Sequence, residues 1–351
     1  METWRRPLFF GPASRSTAKA AEEMTMGQLV LAAAIVILTA TAALPQTDEW
    51  QARMDQGNAE LTHGDYALAA STYRAATEIA ERFESRDRRR AVAWNALATT
   101  YDTLGRFAEA ETAYRRALKE AAASTGKGGP EYAMSLMNLG ASYVQTGQTT
   151  AGEKLVREAL AIYLAADPPD ELKIAAAQNA LAEVLCLINR HREAGPLLTH
   201  SLAVFEKIPR AWGETALALN TLGAVRFVEG NQEEGRRLLL RGLAMMEQHL
   251  GPDHPMVTRI LNNLAAVEYR TGHHEEAGQY LRRALDITKR RLGPEHPSYA
   301  LLLANYAAYL RQGGDKAGAK VLEAQSTQIL KDVTRQNGLG SVVDVSSLRA
   351  K

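Results

Sequence analysis

The chain has 351 residues, 46% of them apolar and 23% charged, with a formal net charge of +1. It is long and apolar enough to bury a sizeable core, which excludes wholesale disorder, and its near-neutral balance lacks the basic footprint of a nucleic-acid-binding domain. A single cysteine, Cys186, excludes an intrachain disulfide framework and a cysteine-rich zinc site.

The N-terminus stands apart. Leu29 to Leu44 carries no charge, Arg5, Arg6, Arg15 and Lys19 precede it, and Ala40-Thr41-Ala42-Ala43 offers small residues to a signal peptidase. The pattern predicts a segment over 1–45 that is a secretion signal cut near Ala43, which implies a periplasmic or secreted protein. The alternative is an uncleaved anchor holding the protein to a membrane through residues 29–44, since the run is near the lower limit of ~17 residues for crossing a bilayer. A third reading, a buried helix of the next domain, is disfavoured by the lack of amphipathic period and by Pro45.

Beyond residue 48 the chain repeats. Trp94, Leu97, Ala98 and Tyr101 fall on one helical stripe, Gly105 interrupts it, and Phe107, Ala110, Tyr114, Ala117 and Leu118 form a second. Ala98 has counterparts at Gly57, Gly140, Ala182, Gly223, Ala265 and Ala307, spaced by 41 or 42 residues. Gly105 has counterparts at Gly64, Gly147, Asn189, Gly230, Gly272 and Gly314. Asn189 fits this series because Asn tolerates a positive φ. Ala110 recurs as Ala69, Gly152, Ala194, Gly235, Ala277 and Ala319. The three markers predict a helical-hairpin domain over 48–335, with units at about 50–90, 91–132, 133–174, 175–215, 216–257, 258–299 and 300–335.

The stretches Leu250-Gly251-Pro252-Asp253-His254-Pro255 and Leu292-Gly293-Pro294-Glu295-His296-Pro297 read as helix punctuation. The glycines suit a left-handed position after one helix, and Pro255 and Pro297 suit the first turn of the next. His254 and His296 are expected near the caps and not as metal ligands. The first unit has a polar first helix, and in the last Glu323 and Ser326 replace apolar residues, so both read as solvated end caps. Residues 336–351 form a tail, either mobile or docked into a groove.

This pattern of aromatic/Leu, Leu, small, Tyr, then Gly, Phe/Tyr, Ala, Tyr, Ala-Leu resembles the tetratricopeptide repeat (TPR). The longer unit, with its Gly-Pro-x-His-Pro linker, is similar to the 42-residue repeats of kinesin light chains and of many bacterial TPR proteins. The resemblance implies an all-α, right-handed superhelical α-solenoid of about seven repeats. It also implies a non-catalytic scaffold that binds a peptide or protein segment on its concave face.

First helices line that face in stacked hairpins. At about 100° per residue, Asn95, Asn179, Asn220 and Asn262 point toward the groove, with Asn138, Asn263 and Asn305 at its edge. Each amide could grip the backbone of an extended ligand or bond between adjacent helices. Phe227 and Tyr269 add apolar contact, along with Met134, Met137, Val144, Leu217 and Val228. Arg259, Arg270 and Arg311 offer either a site for a carboxylate or intrachain ion pairs. No P-loop, GxSxG or HExxH motif is present, and Cys186 reads as a packed thiol. The expectation is therefore a binding protein, not an enzyme, with no cofactor, no metal and no nucleic-acid partner. Two rival readings are a structural subunit of an assembly and an accessory subunit to a separate enzyme.

Overall fold

A computed structural model describes residues 46–338, and no strand occurs among them. The expected leader or anchor at 1–45 and the tail beyond residue 338 lie outside the described residues. The chain divides into two units, Met1–Ala52 and Arg53–Lys351. Of the first, residues 46–52 are described and are helical.

The second unit is an all-α solenoid of helix pairs. It opens with α1 (53–63) and α2 (Tyr66–Ala80), followed by α3 (Arg88–Thr103) and α4 (Phe107–Ser124). Next come α5 (Pro130–Gln145) with α6 (Thr149–Leu164), and α7 (Glu171–Leu187) with α8 (His191–Phe205). The last three pairs are α9 (Trp212–Val228) with α10 (Gln232–Leu250), α11 (Val257–Arg270) with α12 (His274–Arg291), and α13 (Pro297–Gln312) with α14 (Lys316–Gln336). Among the described residues no helix is long and apolar enough to cross a membrane.

The turn within each pair follows from one residue. Gly64, Gly105, Gly147, Gly230, Gly272 and Gly314 all have positive φ, and Asn189 sits at φ 60° in the same slot. The next amide then reaches back over the helix end: Arg106 N donates to Tyr101 O at 2.9 Å, and Arg190 N to Leu185 O at 2.8 Å. This closes the last helical turn and sends the chain back antiparallel.

In two repeats, where both small markers are glycine, they meet where the helices cross. A Cβ on Gly152 would lie 2.5 Å from the Gly140 carbonyl oxygen, and one on Gly235 2.7 Å from that of Gly223. Backbone touches backbone there, so a methyl group has no space. Around these crossings the core forms successive clusters along the solenoid. Leu198, Leu219, Leu239, Ile260, Leu261 and Leu264 are fully buried, each contributing about 2 kcal/mol. The exposed ion pairs that dot the outer surface contribute well under about 1 kcal/mol each.

First helices also pack on one another, α3 on α5, α5 on α7, α7 on α9 and α9 on α11, which makes them one wall. The winding of that wall returns the chain to its own start. His254 Nε2 lies 3.3 Å from the Leu61 carbonyl oxygen, and His296 Nε2 lies 2.8 Å from that of Thr103. Each pair is 193 residues apart in sequence. Asn337 extends the seam: its Oδ1 accepts from Ala108 N at 3.1 Å and its Nδ2 donates to Gly105 O at 3.2 Å. His296 caps α13 as expected, its Nδ1 accepting from Ser298 N, while the His254 Nδ1 accepts from Met256 N in the turn before α11. That bond leaves the Nε2 proton for the distant carbonyl. Burial, aided by Arg291 in the case of His254, holds both imidazoles below the usual histidine pKa and so keeps them neutral.

Two expectations change. Pro297 opens α13, but α11 begins only at Val257, so Pro255 sits in the preceding turn, where it packs near Gly64. Ser326 is no solvated cap: it is buried and donates to Ala300 O at 2.7 Å. In the first hairpin the seam covers the turn at Gly64, while Arg53, Gln56, Asn58 and Ala59 of α1 are exposed, as its polar composition implies.

Candidate binding site on the inner wall

One position of each first helix from α3 onward borders the inner wall, occupied in turn by Asp102, Val144, Cys186, Phe227, Tyr269 and Arg311. Its chemistry changes along the solenoid. Asp102 is buried and accepts from Ser142 Oγ at 2.8 Å and Tyr114 OH at 3.0 Å. Burial outweighs these two bonds and pushes its pKa up to about 6. Burial, with help from Glu183, pushes the Cys186 thiol up to about 12, so it is a packing group and not an activated nucleophile.

The asparagines bond from helix to helix in one repeated register. Asn138 Nδ2 donates to Asn95 Oδ1 at 3.3 Å, Asn263 to Asn220 at 2.8 Å, and Asn305 to Asn262 at 2.7 Å, each pair 43 residues apart. Asn95 and Asn220 are buried. For these two the groove expectation is corrected: a buried amide engaged by the neighbouring helix is out of a ligand's reach. Asn179 donates to Glu183 at 3.3 Å, and Arg259 pairs with the same carboxylate at 3.4 Å. Asn179 and Arg259 are thus joined through one acid.

Five of the predicted residues converge at the C-terminal end, whereas Asn138, Asn263 and Phe227 do not line the cavity there. Asn262, Tyr269 and Arg270 of α11 and Asn305 and Arg311 of α13 border an open cavity of about 950 Å³ that α14 lines on the other side. Tyr269 packs edge-on against Tyr309 at 5.9 Å between centroids, and Tyr309 stacks on Tyr306 at 5.7 Å. The Arg270 guanidinium lies 5.4 Å from the Phe227 ring centroid, which fixes its direction. Arg311 pairs with Glu323 at 2.6 Å, so this arginine is internally neutralised. Arg270, Lys320 and Lys331 have no carboxylate partner among the described residues. The cavity therefore combines aromatic and alanine surface with an excess of positive charge.

Lys320, Lys331 and Tyr309 were missed by sequence reasoning. The lysines lie on a second helix, where the wheel assigns no groove position, and Tyr309 lies one position from the stripe. The only available signal was Glu323, a charge at a slot the other repeats keep apolar. No cluster of His, Cys, Asp and Glu able to hold a metal occurs among the described residues.

A tetratricopeptide repeat family model matches residues 51–119, 131–207, 214–290 and 257–332, and a second matches 19–82, overlapping the apolar run at 29–44. A search of curated protein sequences finds no match. Among solved structures, a Rap protein complexed with competence and sporulation factor is 17% identical, with a TM-score of 0.65, over 82% of this chain and 76% of that one. Aspartyl phosphate phosphatase F from Bacillus subtilis is 14% identical, with a TM-score of 0.58, over 94% of this chain and 81% of that one. A putative kinesin light chain of Podosopora anserina with nearly identical TPR-like repeats is 24% identical over 59% of this chain and 98% of that one, with a TM-score of 0.43. At these identities the Rap and phosphatase likenesses speak for the fold alone. The family models cover most of the chain, repeat by repeat, and the chain belongs to the tetratricopeptide repeat family.

Proposed function

We propose that the protein is a non-catalytic scaffold that binds an acidic peptide or protein segment at the C-terminal end of its inner wall. The observation that carries this reading is the cavity bordered by Asn262, Tyr269, Arg270, Asn305 and Arg311, with Arg270, Lys320 and Lys331 free of acidic partners among the described residues. Unpaired cations beside aromatic rings match a ligand that brings carboxylates and some apolar surface. A protein of similar fold complexed with competence and sporulation factor agrees with ligand binding by such a solenoid. The test is selection from a displayed library of random linear peptides against the full chain. Enrichment of Asp and Glu beside apolar residues is expected, with binding that weakens as salt rises. Enrichment of basic sequences, or no enrichment, contradicts the reading.

For residues 1–45 we propose export or membrane anchoring, supported by the uncharged run and the basic residues before it. The family match beginning at residue 19 supports the competing reading of a further repeat helix. N-terminal sequencing of the mature protein separates them. Cleavage near Ala43 is expected for a signal, and an intact N-terminus in a soluble fraction contradicts both export and anchoring.

A further inference from the structure

In several earlier repeats the second helix holds a neighbouring helix through the same two positions. Arg74 of α2 donates to Tyr101 OH of α3 at 2.7 Å. Arg115 of α4 donates to Tyr143 OH of α5 at 3.0 Å, and Glu111 accepts from it at 2.9 Å. Arg226 of α9 reaches back to Thr199 of α8 at 3.5 Å. Arg236 of α10 pairs with the buried Glu268 of α11 at 2.7 Å. The markers place Lys320 of α14 at the position of Glu111 and Arg236, and Ala324 at that of Arg74, Arg115 and Thr199. Both residues border the cavity. Among the described residues no further helix follows α14. The cavity thus takes in the surface on which an eighth first helix would pack.

We propose that this surface receives an amphipathic α-helix from a partner protein, which completes the solenoid as an eighth first helix and places an acidic residue on Lys320. This rests on the reading of the cavity as the binding site and specifies the ligand's conformation and register. Charge selects the occupant. Lys320, Lys331 and Arg270 are cations without a carboxylate partner among the described residues, so a basic helix is repelled and an acidic one attracted. The template is internal. In α11 the buried stripe is Leu261, Leu264, Ala265 and Glu268, and Glu268 is the residue that meets Arg236. An incoming helix needs the same sequence of apolar, apolar, small and acidic residues at i, i+3, i+4 and i+7. An extended ligand has no such periodicity and leaves the α14 surface uncovered.

The probe is a synthetic peptide of about sixteen residues built from Ala, Leu, Lys and Glu. It carries Leu, Leu, Ala and Glu at i, i+3, i+4 and i+7, and a control has Pro in its centre to block the helix. Fluorescence anisotropy against the full chain should show the helical probe binding at least about tenfold tighter than the Pro control, with far-UV circular dichroism reporting helix gained on binding. Lys320→Glu should weaken the probe about tenfold, and exchanging the probe's stripe Glu for Lys should restore binding to that variant only. Lys320 is exposed, so the variant should keep its melting temperature. Equal binding of the Pro control, or no recovery in the charge exchange, overturns the helical reading while leaving an acidic ligand site. No binding of either peptide, together with an unproductive library selection, overturns the site itself.

Discussion

Gly105→Ala should lower stability by about 2–5 kcal/mol, whereas Gly272→Ala, at the equivalent turn, should cost only about 1–2 kcal/mol. Both glycines have positive φ, 72° and 92°, so each change carries the left-handed penalty of about 1–2 kcal/mol. At Gly272 the added methyl meets nothing within 4 Å. At Gly105 it would lie 2.8 Å from both Cδ and Cγ of Pro297. A proline ring cannot rotate away, so an overpacking cost of about 1–3 kcal/mol is added. Gly64 is intermediate, with Pro255 Cδ at 3.3 Å. Urea midpoints should therefore fall in the order Gly272→Ala, Gly64→Ala, Gly105→Ala. Three equal midpoints would mean that the seam between early and late repeats is not formed in solution. The seam matters because a solenoid otherwise contacts only its neighbours. Here His254, His296 and Asn337 tie the last repeats to the first two, so damage at one end is felt at the other.

Asp102→Asn should stabilise the protein by about 3 kcal/mol at pH 8 and have little effect below pH 4. Asp102 is buried and its pKa rises from 3.8 to about 6 in the folded chain. A carboxyl whose folded pKa is raised binds its proton more tightly in the native state. Its protonated form carries no charge penalty below the unfolded pKa, and stability is lost as pH rises from about 4 through about 6. A tenfold change in proton affinity is worth about 1.4 kcal/mol, so the two-decade rise gives a penalty near 3 kcal/mol that is complete just above neutrality. Asn keeps the shape without the charge, accepting from one of the Tyr114 and Ser142 hydroxyls and donating to the other. Thermal melts from pH 4 to pH 8 check this. A variant whose advantage is constant with pH, or reversed at pH 8, would show that the carboxylate is adequately compensated in place.

The repeat architecture was legible because it is written locally. Each positive-φ turn demands Gly or Asn, and each helix crossing demands a small residue, so Asn189 and the Gly140–Gly152 pair could be read one position at a time. The seam was not legible. The 193-residue separation of His254 from Leu61 is set by the accumulated rotation of successive repeats, which no single repeat encodes. Sequence reasoning found the local half of each histidine, in the turn or cap beside its own helix, and missed the half that reaches across. The helical wheel treated every first helix as bare on its inner side. Neighbouring first helices in fact cover part of that side, which is why Asn95 and Asn220 are buried while Asn262 and Asn305 border the cavity. Lys320 and Lys331 escaped notice for the converse reason. Second helices are ordinarily covered by the next repeat, and among the described residues α14 is the one that no further helix follows.

The most direct test of binding at the C-terminal cavity uses the peptide most enriched in the linear selection, titrated by fluorescence anisotropy against the wild-type chain and against Arg270→Glu/Lys331→Glu. Both side chains are exposed, so folding should be preserved, as circular dichroism will show. At least a tenfold loss of affinity is expected in the double variant, with a shallower salt dependence than the wild type. Affinity unchanged within twofold, in a variant that folds normally, would contradict the assignment of the C-terminal cavity as the binding site.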